Sequence, residues 1–451
     1  MENGFIYVTN YSEKFRNLII SICEKAQINV GLTSLKGIGV FLFGSPSRQE
    51  MVEESDADIM IIRDEDNEDY FKFRTEFEKL LINENFPKLD LPEWGNLKDC
   101  ETYIRDSITE GNQIIEAKFI YGDFEVDKKV VILKNKYCTS DKFERILCFQ
   151  KLYFDQYYKQ RTRGTIKNVK YGHGGTRDFM FITWFSNLLD INENKKINFE
   201  DNFPHTYKSL SHLYSRKLIN FEEYIKFCKD VKIVLLLRNQ VLINNKGSED
   251  EGLTYLDDRT LKRLQQTGQF ANMFDTMKEL KIYLEKAVSN VKTLKDCIWK
   301  NYLDFLTKTK GFEWHNRFIK ILKGEVTKDL IEQVDEEDIL TKIAILWNIN
   351  PKKDGKLFYE LFDKYSKSHS WEILTSLCCH VNCPAEVIDT IVKNKAMVKG
   401  YEYILRVSSR NKNVSGKTLL RIMNNPYLEE RFKIVAKTTY EKRVKKANEF
   451  R

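Results

Sequence analysis

The chain has 451 residues, 42% of them hydrophobic and 31% charged, and its 73 Lys and Arg against 66 Asp and Glu leave a formal net charge of +7. That hydrophobic content excludes a disordered chain, and the length corresponds to about three domains, each able to bury a core. There is no uncharged apolar run long enough to span a bilayer and no charged-then-apolar leader pattern, and the nine scattered cysteines suit free thiols better than a disulfide framework, so a soluble cytoplasmic protein is expected.

The first predicted helix covers residues 12–26, with Ser12 as its cap and Phe15, Leu18, Ile19 and Ile22 on its apolar side. Two short strands follow, over 38–43 and 59–62. A helix over about 69–81 comes next, with Phe71, Phe73, Phe77, Leu80 and Leu81 supplying its buried side, and residues 87–91 form a candidate third strand. From about residue 99 the apolar spacing is helical almost without break, and only 7 prolines interrupt it. Helices over 140–158, 174–189, 221–242 and 269–306 are expected to form a bundle.

The last third has a different rhythm. Ile345-Leu346, Ile373-Leu374, Ile404-Leu405 and Ile434-Val435 recur at a period of about 30 residues, as in helical-pair repeats. The first three are each followed by a polar turn and a second apolar pair: Leu357-Phe358 after Pro351, Val387-Ile388 after Pro384, and Leu419-Leu420 after Val414. This predicts an α-solenoid of the HEAT kind. Cys378, Cys379, His380 and Cys383 lack a second ligand pair at zinc-site spacing and read as buried small side chains. The basic run 442–446 reads as a solvated, partly frayed helix end, with a nucleic-acid contact as the alternative.

Chemistry concentrates between the two strands, where Gly44-Ser45 is followed by a polar run ending in Asp56-Ala57-Asp58. Alternation along a strand points Asp56 and Asp58 to one face, and two adjacent carboxylates repel each other unless a cation lies between them. Such a pair is suited to Mg²⁺ or Mn²⁺ held against nucleotide phosphates. Gly44 allows close backbone approach to a phosphate, to which the Ser45 hydroxyl and amide can donate. Asp90 is the expected third acid, with Glu93 as the alternative. Downstream, Lys170, Gly174, Gly175 and Arg177 precede an apolar helix, whose N-terminus and flanking cations suit an anion; a purely architectural loop is the competing reading.

The Gly-Ser turn with Arg48, Glu50, Ser55 and the Asp-x-Asp strand resembles the polymerase-β-like nucleotidyltransferase superfamily. Within it, the segment looks most like the catalytic module of the bacterial uridylyltransferase that modifies the PII signalling protein. Residues 168–178, NVKYGHGGTRD, resemble that family's Asn-Leu-Lys…Gly-Gly-x-Arg-Asp signature, and 116–123, EAKFIYGD, resemble its helix ending in Gly-Asp, with Lys118 where Arg is usual. Weaker similarity, through 235–238 and 253–264, extends to about Leu294. The resemblance does not include the phosphohydrolase and glutamine-sensing parts of that enzyme.

The combined expectation is an α+β fold: a small mixed-sheet nucleotidyltransferase domain (1–135), an all-α domain closing the nucleotide cleft (136–310), and HEAT-like helical repeats (311–451). The expected activity is Mg²⁺-dependent transfer of an NMP from an NTP to an acceptor hydroxyl, on a protein docked by the repeats. Asp56, Asp58 and Asp90 would hold metal, and Gly44, Ser45, Arg48, Lys170, Gly174, Gly175 and Arg177 would hold the nucleotide, with Arg48 or Glu50 alternatively bracing the turn. The alternatives are a second-messenger synthase, an RNA or tRNA nucleotidyltransferase, and a non-catalytic nucleotide-binding regulator.

Overall fold

The structure, a computed structural model, describes residues 3–52, 55, 57–64, 68–84, 89–90, 95–154, 169–170, 172, 174–193, 206–244, 258–266, 274–309, 313–334, 338–395, 402–426, 428 and 430–449. The chain divides into two compact units, 1–150 with 162–299 and 151–161 with 300–451.

The first unit is built on Ile38–Leu42 (β1), which is buried at all five positions. A strand covered on both faces has no place for a polar side chain, and this one carries none. It pairs antiparallel with Ala57–Arg63 (β2) on one side and Lys118–Gly122 (β4) on the other, and Leu89–Asp90 (β3) adds in parallel to β2, giving the order β3-β2-β1-β4. The sheet is therefore mixed, as expected. Asn3–Asn29 (α1) and Glu68–Asn83 (α3) pack together, and their Phe15, Ile19, Ile22, Phe73 and Phe77 share one core with Val40, Ile59 and Ile61. On the other face Phe41 meets Phe119 edge-on, with ring centroids 5.5 Å apart, beside Phe124–Tyr137 (α6).

Several expectations change here. Ser12 lies inside α1 rather than at its start; its hydroxyl donates to Val8 O (2.7 Å) and accepts from the Met51 N–H (3.1 Å), tying α1 to the chain beyond the Gly-Ser turn. Phe71 is 55% exposed, because α3 turns Tyr70, Phe73, Phe77 and Leu81 inward instead. The third strand has two described residues, 89 and 90. Most consequentially, residues 118–122, which the family resemblance places at the end of a helix, are strand β4. The helix ends at Glu116, and the Phe-Ile-Tyr run that follows has the aromatic and β-branched character that suits the free edge of β1. Gly122 closes the strand at φ +108°, and Asp123 accepts from the Gly37 N–H (2.7 Å) and caps α6 through the Glu125 N–H (2.9 Å).

Helices complete this unit: Leu97–Asp106 (α4), Thr109–Glu116 (α5), Ser140–Phe149 (α7), Thr176–Asn192 (α8), Thr206–Ser215 (α9), Phe221–Asn244 (α10), Asp258–Gln266 (α11) and the first part of Met277–Thr309 (α12). After α7 the chain continues as a π-helical turn, Gln150–Phe154; the expected continuation over 155–158 lies outside the described residues. Every residue of α8 from Asp178 to Leu188 is buried, as befits a helix apolar all round that packs against α7, α9 and α10.

The second unit contains Glu313–Leu322 (α13), Lys328–Glu332 (α14), Ile339–Asn348 (α15), Pro351–Ser366 (α16), Trp371–Cys379 (α17), Ala385–Lys395 (α18), Glu402–Arg410 (α19), Gly416–Met423 (α20) and Glu430–Glu449 (α21). Packing alternates. Helices α13, α15, α17, α19 and α21 contact in succession, and α16, α18 and α20 do the same in a second layer. Ile345-Leu346, Ile373-Leu374 and Ile404-Leu405 are buried as the period requires, but Ile434 is 54% exposed and Ala436 is buried in its stead, so α21 leaves the repeat. Asparagines fasten successive turns: Asn411 Nδ2 donates to Cys378 O (2.8 Å) and His380 O (3.0 Å), and Asn413 Nδ2 to Val381 O (3.0 Å) and Cys383 O (2.9 Å). His380 is packed among the rings of Trp347, Phe358 and Phe362.

Candidate active site

Antiparallel pairing of β1 with β2 folds the chain back on itself at Gly44–Ser47 (α2), and the Phe43 N–H donates to Asp58 O (3.1 Å). This lays the Asp58 side chain on Gly44. A Cβ at residue 44 would lie 3.1 Å from Asp58 Cγ and would overlap Oδ2, and the backbone there has φ +62°, which glycine adopts without strain. Ser45 is buried and its carbonyl accepts from the Glu50 N–H (3.0 Å), while Ser47 Oγ donates to Gly44 O (2.9 Å). Ser55 closes the next turn, with its N–H on Val52 O (3.1 Å) and its hydroxyl accepting from the Val52 N–H (3.2 Å).

Parallel pairing places Asp90 opposite Asp58 in register, so the two backbones stand side by side at the start of β2. Asp56 and Glu93 lie outside the described residues. Among the described residues no three His, Cys, Asp or Glu side chains gather as metal ligands. The corner nevertheless offers a ligand of the kind a hard divalent cation takes, the Asp58 carboxylate, whose oxygen occupies the space a Cβ at residue 44 would need.

Behind this corner is a buried charge network. Arg48 Nε donates to Glu50 Oε2 (3.4 Å), one of its terminal nitrogens donates to Glu116 Oε2, and Glu50 Oε1 accepts from the Thr206 N–H (2.6 Å) at the start of α9. Glu50 and Glu116 are buried, and the other Glu116 oxygen, Oε1, has no hydrogen-bond partner among the described residues. Burial alone would lower the Arg48 pKa, but Glu116, Glu50 and Asp58 together hold it above the usual value. The Glu116 carboxyl is raised by its burial, against the opposing pull of Arg48 and then of Arg177. One carboxylate thus senses both the Gly-Ser turn and the head of α8. Two of the Arg48 nitrogens are engaged by these carboxylates, and Glu50 braces α9 as well as Arg48.

The glycine loop ahead of α8 is closed on itself. Gly174 N–H donates to Asp178 Oδ2 (2.6 Å), and the amides of Gly175, Thr176, Arg177 and Asp178 donate to the carbonyls of Gly172, Val169, Lys170 and Gly175 at 2.9–3.0 Å. These five donors are therefore engaged within the loop. Asp178 also accepts from Lys295 Nζ (2.5 Å) in a buried pair, and a Cβ on Gly174 would overlap the Val288 carbonyl, so α12 locks the loop. Asn168 and His173 lie outside the described residues.

Sequence reasoning assigns no role to Glu116, Thr206 or Lys295. Glu116 carries a signal, its position ahead of the Gly-Asp pair; Lys295 carries none, being one lysine among many in α12.

Residues 23–115 match the family model described as nucleotidyltransferase domain, and residues 155–299 match the one described as GlnD PII-uridylyltransferase. No curated protein matches the chain. The first match spans β1, the Gly-Ser turn, Asp58 and β3, and the second spans the glycine loop and the helices that lock it. The two matched segments, 23–115 and 155–299, thus support a polymerase-β-like nucleotidyltransferase close to the module of the PII-protein uridylyltransferase.

Proposed function

We propose that the protein transfers an NMP from an NTP to an acceptor hydroxyl on a protein, releasing pyrophosphate. The observation that carries this is the Asp58 carboxylate laid on Gly44 with Asp90 in register beside it, inside the segment that matches the nucleotidyltransferase domain. Asp58, with Asp56 and Asp90, would hold Mg²⁺, which when bound supplies Lewis-acid stabilisation of the phosphate charge. Gly44 and Ser45 let the triphosphate approach the backbone, Arg48 fixes the turn from behind, and Lys170 and Arg177 provide positive charge at the head of α8. The acceptor oxygen forms a bond to the α-phosphorus, the bond to the bridging oxygen breaks, and the hydroxyl proton passes to solvent or a nearby base.

A protein acceptor is favoured by the match to a PII-uridylyltransferase over 155–299, together with the stacked helices of the second unit as a docking surface. The test is to incubate the protein with candidate acceptors, each NTP in turn and Mg²⁺, and to examine the acceptors by mass spectrometry. A gain of one nucleoside monophosphate, abolished by EDTA, is expected. Incorporation only into oligonucleotide products would replace the protein acceptor with a nucleic-acid or second-messenger product.

A further inference from the structure

The basic run near the C-terminus is not a loose end. Arg443 of α21 donates to three backbone carbonyls of the turn before α20, those of Asn411 (3.2 Å), Lys412 (2.9 Å) and Val414. Gly416 at the head of α20 faces the Tyr440 ring, and α21 also packs along α19. Lys412 and Lys417 thus belong to the segment on which α21 docks, and α21 itself carries Lys442 and Lys445; all four are exposed, as is Lys437. None of these five ammonium groups has a hydrogen-bond or ion-pair partner among the described residues. Residues 391–451 contain 16 Lys and Arg against 5 Asp and Glu, a net of +11 in a chain whose total is +7. The remainder of the protein is therefore slightly acidic, and the positive charge is concentrated at this end.

We propose that this edge of the second unit binds the phosphate backbone of RNA. Among the described residues its exposed positive charge is carried by lysine, a compact, strongly hydrated cation that neutralises phosphates as a point charge. Arg443, whose fork could clamp a phosphate or a carboxylate, is engaged here by backbone carbonyls. A helix of 20 residues is about 30 Å long, enough to follow several successive nucleotides. A lipid surface would need a continuous apolar face beside the charge, and among the described residues the exposed large apolar side chains of α21 are Ile434 and Val444. The surface belongs to the second unit alone, and the proposal does not depend on the transferase reading.

The test is fluorescence anisotropy of a labelled single-stranded RNA of mixed sequence, about 20 nucleotides long, with the full chain, without NTP, between about 50 and 200 mM salt. Five lysine–phosphate contacts predict affinity falling about 100-fold over that range. The variant Lys412→Gln/Lys417→Gln/Lys442→Gln/Lys445→Gln should flatten the salt slope by about 3 and abolish tight binding. A control with four exposed lysines of the first unit changed, Lys14, Lys25, Lys98 and Lys281 to Gln, should bind as wild type, and circular dichroism of both variants checks folding. Equal loss in both variants, or no loss in the first, would overturn the proposal. So would displacement of the RNA by polyglutamate at equal charge concentration, which would assign the edge to an acidic protein segment.

Discussion

Gly44 meets two constraints that a single residue type satisfies: a left-handed backbone angle and an Asp58 carboxylate pressed onto its Cα. Gly44→Ala should cost about 1–3 kcal/mol from the backbone alone. It should also push Asp58 aside, so NTP binding measured by calorimetry should fall further than stability measured by urea unfolding. Unchanged binding would mean that the corner does not face the nucleotide. Glu116 invites a second test. Removing one partner of a buried ion pair costs about 3–5 kcal/mol, so Glu116→Ala should lower the urea midpoint markedly, whereas Glu116→Gln, which retains an acceptor for Arg48, should lose less. Equal losses would show that charge rather than shape holds the network. At this scale the Gly-Ser turn and Asp58 are legible because their types and spacing lie within one short segment. Glu116 is not, because Arg48 is 68 positions away and only tertiary folding joins them.

Among the elements, β4 is the instructive miss. Its five residues sit between two helices, and a helical rhythm runs through them until the open edge of β1 is known. Long amphipathic helices are legible, with ends displaced by several residues where caps are misjudged, as at Ser12. In the second unit the spacing of apolar pairs is legible because packed helices bury them, and it fails at α21, where Ile434 is exposed and Ala436 buried. His380 offers a pH test of that stack. Burial, and secondarily Lys412, depresses its pKa to about 4, and its Nδ1 accepts from the Asn382 N–H (3.2 Å), a bond the protonated ring cannot make. The unfolded chain takes up this proton near pH 6.5, so the stabilisation is complete above that value and is lost as pH falls towards 4, by on the order of 3 kcal/mol. Urea midpoints between about pH 7 and 4.5 should fall more steeply for wild type than for His380→Phe; parallel curves would remove His380 as the source.

For the whole molecule, the division into two units makes separability a question of chemistry. Every residue assigned to the nucleotide lies before residue 180, and the matched segments end at residue 299, inside α12. A chain ending after Thr309, which keeps α12 whole, should bind NTP with Mg²⁺ in calorimetry while its transfer to an acceptor falls. Loss of NTP binding and of cooperative unfolding together would make the second unit part of the catalytic core. Asp58→Asn shows whether nucleotidyl transfer needs the Asp58 carboxylate at the Gly44 corner, since the amide preserves the packing on Gly44 while removing the charge. Pyrophosphate release should be measured for both proteins with each NTP, Mg²⁺ and acceptor. Turnover by the wild type and a loss of at least about 100-fold in the variant at unchanged thermal stability are expected, as for an essential group that holds transition-state charge. Wild-type turnover by Asp58→Asn would contradict that role.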